Sequence, residues 1–549
     1  MSMSERFDWP SARKGRAAVL AAALGVLTLP AVARADDVTP FTVALPTVTG
    51  PIPSTATSFP FAALGFDIQG PLPDGYVEEE YFVSGVGNLY EYTPTGIQVV
   101  TPCPAAATSG CTGIPYTTRM LVRRPRHRRD FSGTVIVEPL NPSGGFDIAA
   151  VWDRSVNHFV QNGDAFVGWS SKSVIVNALE QWNPTRYAAL DWPYLPFVPG
   201  GNSGVNDGIT FDVAAQIGAL FKSGSSHGPL RGFRVERLIE SGFSQDGGFT
   251  FTQADIFHRL ERMPGGGRIY DGYIPMGTTG PSNINFGLTP AGALPAGDPR
   301  RQMQPRDAPV IHVNTETEIA LGALSPVGLA FRRPDGDAPD DRYRIWEVPG
   351  AAHVSNDRRE EVINLQRNRA QLLHLTDLSQ LPPLGCTHQA FEDGPVHGVE
   401  GVIAPDDFPF SSVQNAAFHH LVRWIDHPHG PPPPHGQPIQ VDMGATPRAI
   451  VRDGLGNAMG GVRTPFLDVP IATFTPTDTV AHQTDESGFC VLYGFNAPFD
   501  RAQLATLYRD HRTYVRQFAL QSIELVRDGF WLLPDAIDAI ERAIHAQVP

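Results

Sequence analysis

The feature that most restricts the fold of this 549-residue chain is an alternation of short apolar runs with helical stretches. Helical spacing of apolar residues fits segments 147–163 and 209–224. The strand-like runs around them are "GTVIVEPLN", "DAFVGWSS", "VERLIESGF", "YDGYIPMG", "APVIHVNTETE" and "YRIWEVPGAAH". Strands alternating with helices form a mostly parallel sheet flanked by helices. The sequence therefore predicts an α/β protein whose chemistry lies at the carboxyl ends of its strands.

The pattern continues on both sides of this region. We predict strands over 76–92 and 116–125, a helix from Gly248 to Met263, and two terminal helices over 507–529 and 534–547. The tract "HPHGPPPPHG" indicates a connector, and we expect the part beyond it to pack on the main domain. The predicted layout is a signal peptide (1–35), an extended segment (36–75), an α/β domain (76–430) with a loop insertion (278–308), and a C-terminal extension (431–549).

The N-terminus has the organisation of a targeting segment. A basic "ARKGR" precedes an apolar stretch, and Ala33-Arg34-Ala35 forms a small-x-small cleavage site. The apolar stretch is short for a membrane span and contains Pro30. We expect a cleavable signal peptide and a periplasmic or secreted protein without a stable membrane span.

Charge and cysteine content narrow the function classes. The net charge is -15, and no block of basic residues stands out in the sequence. Because a nucleic-acid partner requires clustered Lys and Arg to neutralise its phosphates, this argues against such a partner. Four cysteines suit an exported protein. We predict a local Cys103–Cys111 disulfide and a long-range Cys386–Cys490 disulfide, with two free buried thiols as the alternative. The absence of a CxxC motif argues against a zinc or redox site of that kind.

The stretch "LIESGFSQDGGFT" places Ser244 between a predicted strand and a predicted helix. A sharp turn at this junction lifts a nucleophilic serine clear of the sheet, usually as G-x-S-x-G. Gly242 and Ser244 fit that pattern, whereas Asp246 occupies the second glycine position. An ordinary turn is the alternative interpretation of the serine.

A serine nucleophile needs a base and a group that orients the base. Downstream of Ser244, one strand ends in Glu316 and Glu318, and another ends at His353. The order serine, acid, histidine matches serine hydrolases whose nucleophile lies on such a turn. The two glutamates alternate along the chain, so we expect only one to face His353. Counting from Pro309 favours Glu318 as the acid, with Glu316 as the alternative.

Donors for an oxyanion and a substrate pocket can also be proposed. One donor should be the backbone N–H of Gln245, and another that of Leu140 or Asn141. Gly144 and Gly145 would let the backbone approach the substrate. Aromatic residues of segment 172–207 line the pocket or simply cover the sheet: Trp182, Tyr187, Trp192, Tyr194 and Phe197.

A metal site is the rival interpretation for one segment. "HHLVRWIDHPHGPPPPH" contains His419, His420, His427, His429 and His435 but lacks HExxH and an evident carboxylate partner. We therefore predict neither a metal nor a cofactor.

Several stretches together resemble the exported bacterial alpha/beta hydrolase domain-containing proteins. They include "GFSQDGG", "RIYDGYIPMG", "VNTETEIALG", "WEVPGAAH" and, near the C-terminus, "RDGLGNAMGGVRTPFLDVPIA". The resemblance covers most of the chain after the leader and implies an alpha/beta-hydrolase fold. The family tends to read TETD where this chain has "TETE", which supports Glu318 as the acid. It usually has a small residue where this chain has Asp246.

The sequence thus predicts a serine hydrolase that cleaves small carboxylic esters with Ser244, His353 and Glu318. An acyltransferase would use the same triad, and a binding protein could retain the fold without the chemistry. Oligomeric state and substrate are not predicted.

Overall fold

A ten-stranded mixed sheet runs through the computed structural model. In chain order its strands are β1 (Thr47–Ile52), β2 (Tyr76–Gly87), β3 (Ile114–Pro125), β4 (Thr134–Leu140), β5 (Ala165–Ser170), β6 (Arg237–Phe243), β7 (Gly272–Met276), β8 (Arg306–Thr315), β9 (Gly336–Ala338) and β10 (Asp341–Val348). In space they follow the order β9-β10-β8-β7-β6-β4-β5-β3-β2-β1. The structure describes residues 39–55, 58–59, 72–94, 96–101, 103, 110–193, 208–224, 228–282, 284, 294–325, 328–355, 357, 370, 375, 380–381, 385–388, 404–434, 436–484 and 487–548.

The middle of this sheet is parallel. Strands β5, β4, β6, β7, β8 and β10 pair in parallel, whereas β9 and the strands from β3 to β1 pair antiparallel. Every residue of β4, β5 and β7 is buried. Parallel strands that are covered on both faces have continuous apolar runs, which is the pattern in the sequence. The predicted α/β fold with a mostly parallel sheet is confirmed.

The helices described lie between and after these strands. They are α1 (Ala150–Asn162), α2 (Ser173–Trp182), α3 (Thr210–Lys222), α4 (Gln245–Asp255), α5 (Glu316–Leu324), α6 (Phe410–Asp426), α7 (Pro465–Asp468), α8 (Arg501–Leu507), α9 (His511–Asp528) and α10 (Leu533–His545). Among the described residues, no helix is both long and apolar enough to span a bilayer. The predicted signal peptide lies outside the described residues.

Several predicted elements differ from the structure by a few terminal residues, and two are divided in the structure. The helix predicted over Gly248–Met263 begins at Gln245 and ends at Asp255, and a separate short turn follows at Phe257–Arg259. The strand predicted over 76–92 is divided into Tyr76–Gly87 and Tyr90–Tyr92. The division occurs because the Asn88 N–H donates to the Asp212 carboxylate at 2.6 Å, and the Leu89 N–H donates to the Cys111 carbonyl at 2.9 Å.

The C-terminal part packs on the sheet domain, as expected. Its Leu467 and Trp531 are each 1% exposed and belong to the same buried apolar cluster as the sheet. A second, three-stranded sheet pairs Phe495–Pro498 with Ala404–Pro405 on one side and Ala472–Thr475 on the other. Both predicted disulfides are present, Cys103–Cys111 and Cys386–Cys490.

Candidate active site

Ser244 occupies a sharp turn between β6 and α4. Its backbone has φ 66° and ψ -123°, and it is the one non-glycine residue with positive φ in the described part of the chain. A side chain in this conformation is strained, and such strain concentrates at functional sites. The local geometry is that of a strand-to-helix turn that exposes a serine hydroxyl.

The glycines around Ser244 are explained by close backbone approaches. A Cβ at Gly242 would lie 2.3 Å from the Asp246 carbonyl oxygen, and a Cβ at Gly247 would lie 1.9 Å from that of Met276. The position that requires the second glycine is therefore 247 and not 246. Asp246 is fully buried, and its carboxylate accepts a hydrogen bond from the Ser171 hydroxyl at 3.3 Å. The turn accommodates Asp246 because that side chain points away into the protein interior.

His353 follows β10 and contacts both Ser244 and Glu318. Its Nε2 lies 2.7 Å from the Ser244 Oγ, and its Nδ1 lies 2.5 Å from a Glu318 carboxylate oxygen. An ionised carboxylate only accepts hydrogen bonds, so the Nδ1 carries the proton and donates. The Nε2 of a neutral ring is then free to accept the Ser244 proton.

Glu318 belongs to a helix and not to the end of a strand, because β8 ends at Thr315 and α5 starts at Glu316. This corrects the expectation that Glu316 and Glu318 alternate along a strand. Glu318 completes a capping box in which the Thr315 N–H and hydroxyl donate to its Oε2 at 2.8 and 2.6 Å. Burial acts to raise the pKa of Glu318. The nearby His353 and the hydrogen bonds from His353 and Thr315 outweigh burial, so its pKa lies below its ordinary value.

Glu316 has a different set of partners. Its buried carboxylate accepts hydrogen bonds from the Gly350 N–H at 2.6 Å and from Arg452 Nη2 at 2.9 Å. Burial raises its pKa, although Arg452 opposes this shift. The structure thus brings Glu318, and not Glu316, into contact with the His353 ring.

The loop after β4 lies against the turn of Ser244. The Asn141 side-chain amide donates to the Phe243 carbonyl at 2.9 Å, and its oxygen accepts from the Ser143 N–H at 2.8 Å. However, the Asn141 backbone N–H donates to the Ile148 carbonyl at 2.9 Å. This N–H is therefore already paired with the returning chain at Ile148, which argues against the prediction that it serves an oxyanion.

The other predicted oxyanion donors, Leu140 and Gln245, lie at the ends of secondary-structure elements, and the two loop glycines lie in a turn. Leu140 is the last residue of β4, where it is the ladder partner of Ser170. Gln245 is the first residue of α4, and N–H groups at this position have no acceptor inside the helix. Gly144 and Gly145 belong to a turn closed by the Gly145 N–H donating to the Pro142 carbonyl at 2.9 Å.

The predicted pocket aromatics have structural contacts. The buried Tyr187 hydroxyl contacts the Phe59 N–H at 2.8 Å and a Glu80 carboxylate oxygen at 3.2 Å. The ring of Trp182 packs edge-on against Phe59, and that of Trp192 packs against Tyr116. These described contacts do not include Ser244, Glu318 or His353. Tyr194 and Phe197 lie outside the described residues.

No cluster of three or more metal-ligating side chains exists among the residues that the structure describes. In the histidine-rich segment, His419 and His420 lie on α6, and His420 Nε2 hydrogen-bonds the Gly529 carbonyl at 2.7 Å. His435 lies outside the described residues. The sequence expectation of no metal and no cofactor stays a prediction.

Sequence reasoning missed three side chains that hold the His353 loop: Arg154, Thr317 and Asp406. Thr317 Oγ1 accepts from the His353 N–H at 3.0 Å, and Asp406 accepts from the Ala352 N–H at 2.8 Å. Arg154 donates to the His353 carbonyl at 3.1 Å. The helical pattern contains one signal for Arg154. This arginine lies three residues after Val151, on the buried side of α1, where an apolar side chain is expected.

The chain is similar to one family of known proteins and to several solved structures. Residues 48–541 match the family model described as alpha/beta hydrolase domain. The solved structures that match include a poly(3-hydroxybutyrate) depolymerase from Bordetella parapertussis, with 15% identity and a TM-score of 0.26. The alignment covers 49% of this chain and 90% of that chain. Another is an alpha-beta serine hydrolase homologue from Coxiella burnetii, with 13% identity and a TM-score of 0.24. Here 47% of this chain and 91% of that chain are covered.

A search among curated proteins finds no match. The structural similarity scores are low, so the assignment rests on the family model, which covers most of the chain. The chain therefore belongs to the alpha/beta hydrolase domain family.

Proposed function

We propose that this protein is an exported serine hydrolase that cleaves small-molecule carboxylic esters through an acyl-enzyme. The observation that carries the proposal is the continuous contact from Ser244 Oγ through both nitrogens of His353 to Glu318, with distances of 2.7 and 2.5 Å. The strained backbone of Ser244 supports it, because that conformation costs stability and serves to present a hydroxyl. The two disulfides are consistent with export.

The reaction follows from the placement of these groups. Ser244 Oγ attacks the ester carbonyl while its proton passes to His353 Nε2. Glu318 holds the Nδ1 proton and stabilises the imidazolium that forms. His353 then returns the proton to the leaving alcohol, and an acyl-Ser244 ester remains. Water, deprotonated by the same histidine, hydrolyses that ester and restores the serine.

The negative oxygen of each tetrahedral intermediate needs N–H donors. We assign one donor to the Gln245 N–H, which begins α4 and gains from the positive end of the helix dipole. We assign the second donor to the Gly144 N–H, because Pro142 has no N–H and the Ser143 and Gly145 N–H groups donate within the loop. Chemistry of this kind needs neither a metal nor a cofactor.

The test is labelling with a fluorophosphonate probe, followed by turnover of aryl and alkyl esters of increasing acyl length. Wild type should label at Ser244 and hydrolyse at least one short-chain ester. Ser244→Ala should do neither. Ser282→Ala is the matched control, because its hydroxyl lies near the same turn, 3.5 Å from the Gln245 carbonyl.

Labelling that persists in Ser244→Ala would refute the assignment of the nucleophile. Folded wild-type protein that neither labels nor turns over any ester would favour a binding protein. Acyl transfer to an added alcohol that greatly exceeds hydrolysis would favour an acyltransferase.

A further inference from the structure

The loop from Gly350 to His353 is held by side chains from distant parts of the chain. Glu316 and Thr317 at the start of α5 accept the Gly350 and His353 N–H groups at 2.6 and 3.0 Å, and Asp406 accepts that of Ala352. These three contacts fix the loop relative to β8 and the residues before α6. None of these three contacts is made with the turn that carries Ser244, which follows β6.

Arg154 supplies a contact between the loop and that turn. Its Nη2 donates to the His353 carbonyl at 3.1 Å, across 199 positions in sequence. Its guanidinium also lies 3.9 Å from the centre of the Phe243 ring, and Phe243 directly precedes Ser244. The Phe243 ring in turn packs against the His353 ring at 4.8 Å. One buried cation therefore contacts both the strand of the nucleophile and the loop of the histidine.

Arg154 is itself held on a fixed support. It is 2% exposed and lies in the second turn of α1. The first turn of α1 is anchored to the sheet, because the Glu138 carboxyl of β4 accepts the Val151 and Trp152 N–H groups at 2.9 and 3.2 Å. A planar guanidinium stacks on an aromatic ring and donates from its edge at the same time, which a lysine ammonium does less well.

We propose that Arg154 is a positioning residue that sets the separation between His353 Nε2 and Ser244 Oγ. The inference rests on the proposed function, since it concerns the same triad. Proton transfer from Ser244 requires hydrogen-bond distance. Loss of Arg154 leaves the loop attached to α5 and Asp406 but removes the cation that joins the His353 carbonyl to the Phe243 ring, so the His353 ring is held less closely against the Ser244 turn.

The test compares Arg154→Met and Arg154→Lys with the control Arg123→Met. Arg123 is an equivalent buried arginine, 4% exposed, whose guanidinium lies 5.0 Å from the centre of the Trp152 ring on the same helix and which pairs with Glu78 at 2.8 Å. Each variant is titrated with a fluorophosphonate, and its phosphonylation rate constant, kcat, KM and thermal midpoint are measured.

A misplacement of the order of 1 Å costs up to about 100-fold, so kcat and the phosphonylation rate constant of Arg154→Met should fall about 10- to 100-fold. All sites should still titrate, and KM should change less than about threefold, because substrate contacts are unaltered. Arg154→Lys should recover part of the loss, because it keeps a cation and a donor. Arg123→Met should lower the thermal midpoint but leave kcat per titrated site unchanged.

Three results would overturn the inference. One is a wild-type phosphonylation rate in Arg154→Met, and another is an equal loss of kcat in Arg123→Met. The third is incomplete titration with normal kcat per titrated site, which would show a purely structural role. If Arg154→Met does not fold, Arg154→Lys decides alone, with kcat below wild type as the expected result and wild-type kcat as the contrary one. The proposed function fails separately, if wild type is not labelled at Ser244.

Discussion

Two buried glutamates, Glu318 beside His353 and Glu240 inside β6, have opposite electrostatic environments. Burial raises the pKa of Glu240 well above its ordinary value, and in the described part of the chain neither of its carboxyl oxygens has a hydrogen-bond partner. Burial acts on Glu318 in the same direction, but His353 and Thr315 reverse it. Burial alone therefore favours the neutral form of a carboxyl, whereas directed donors and a nearby histidine favour the ionised form.

The location of each glutamate explains the difference. Glu240 lies in mid-strand between its ladder partners Val137 and Tyr273, where backbone groups are already paired within the sheet. Glu318 lies just past the carboxyl end of β8, where α5 begins and unpaired N–H groups are available. The end of a strand can support a functional charge that the middle of a strand cannot.

The largest expected effect comes from removing the charge of Glu318. Glu318→Gln should lower kcat by about 10³- to 10⁴-fold, because an amide no longer selects the tautomer of His353 that accepts the serine proton. Its amide oxygen can still accept the Thr315 N–H, so the variant should remain folded, with a thermal midpoint at neutral pH lowered by the loss of the ionised group. Glu240→Gln is the matched control and should retain wild-type kcat. Steady-state kinetics on one ester checks both variants, and a large loss of kcat in Glu240→Gln would break the comparison.

The pH dependence of stability should also separate the two residues. A raised carboxyl pKa means that the folded protein keeps a proton that the unfolded chain has lost. Stability is therefore lost as pH rises above the ordinary value of 4.5 towards the folded pKa of Glu240, by up to about 1.4 kcal/mol per pH unit. Glu240→Gln should remove this part of the alkaline loss. Urea unfolding from pH 5 to 9 measures it, and unchanged slopes would contradict the assignment.

Glu318 should act at the other end of the pH scale. Its pKa is lowered, so its contribution to stability is present above the ordinary value of 4.5 and is lost as pH falls through the folded pKa. Glu318→Gln should show a shallower acid loss than wild type below that value. Thermal midpoints between pH 3 and 6 provide the check, and parallel curves for the two proteins would count against it.

A smaller effect is expected at Thr315. Thr315→Ala removes the hydroxyl that donates to Glu318 and accepts the Thr317 N–H at 3.2 Å. Loss of this cap should cost about 1 kcal/mol of folding stability. It should also lower kcat by severalfold, because Glu318 loses one of the donors that keep it ionised. Thr315→Ser should restore both quantities, and failure of that rescue would show that the methyl group matters instead.

Local patterns were sufficient to predict the sheet and the order of the candidate residues. Buried strands have continuous apolar runs, and Ser244, Glu318 and His353 each follow one, so their shared edge of the sheet could be inferred. The choice between Glu316 and Glu318 depended on a helix that starts immediately after Thr315.

What could not be predicted depends on contacts between distant residues. The acceptor of the Asn141 N–H could not be predicted, because it is set by the path of the chain returning at Ile148. Arg154 and Asp406 lie 199 and 54 positions from the backbone groups that they hold. No local pattern encodes such pairs. Asp246 is a different case. The usual sequence pattern has a glycine at this position, but the close backbone approach that requires a glycine occurs one residue later, at Gly247.

The contacts of the His353 loop also determine when, during synthesis of the chain, the arrangement of Ser244, Glu318 and His353 can form. The Val354 N–H donates to the Leu492 carbonyl at 2.9 Å, and Thr317, which holds His353, donates its own hydroxyl to the Pro476 carbonyl at 2.6 Å. A nascent chain that has not yet reached residue 492 contains Ser244, Glu318 and His353 but lacks part of the frame that holds them. Under the proposed function, hydrolysis would therefore begin only after nearly the whole polypeptide has been synthesised and folded.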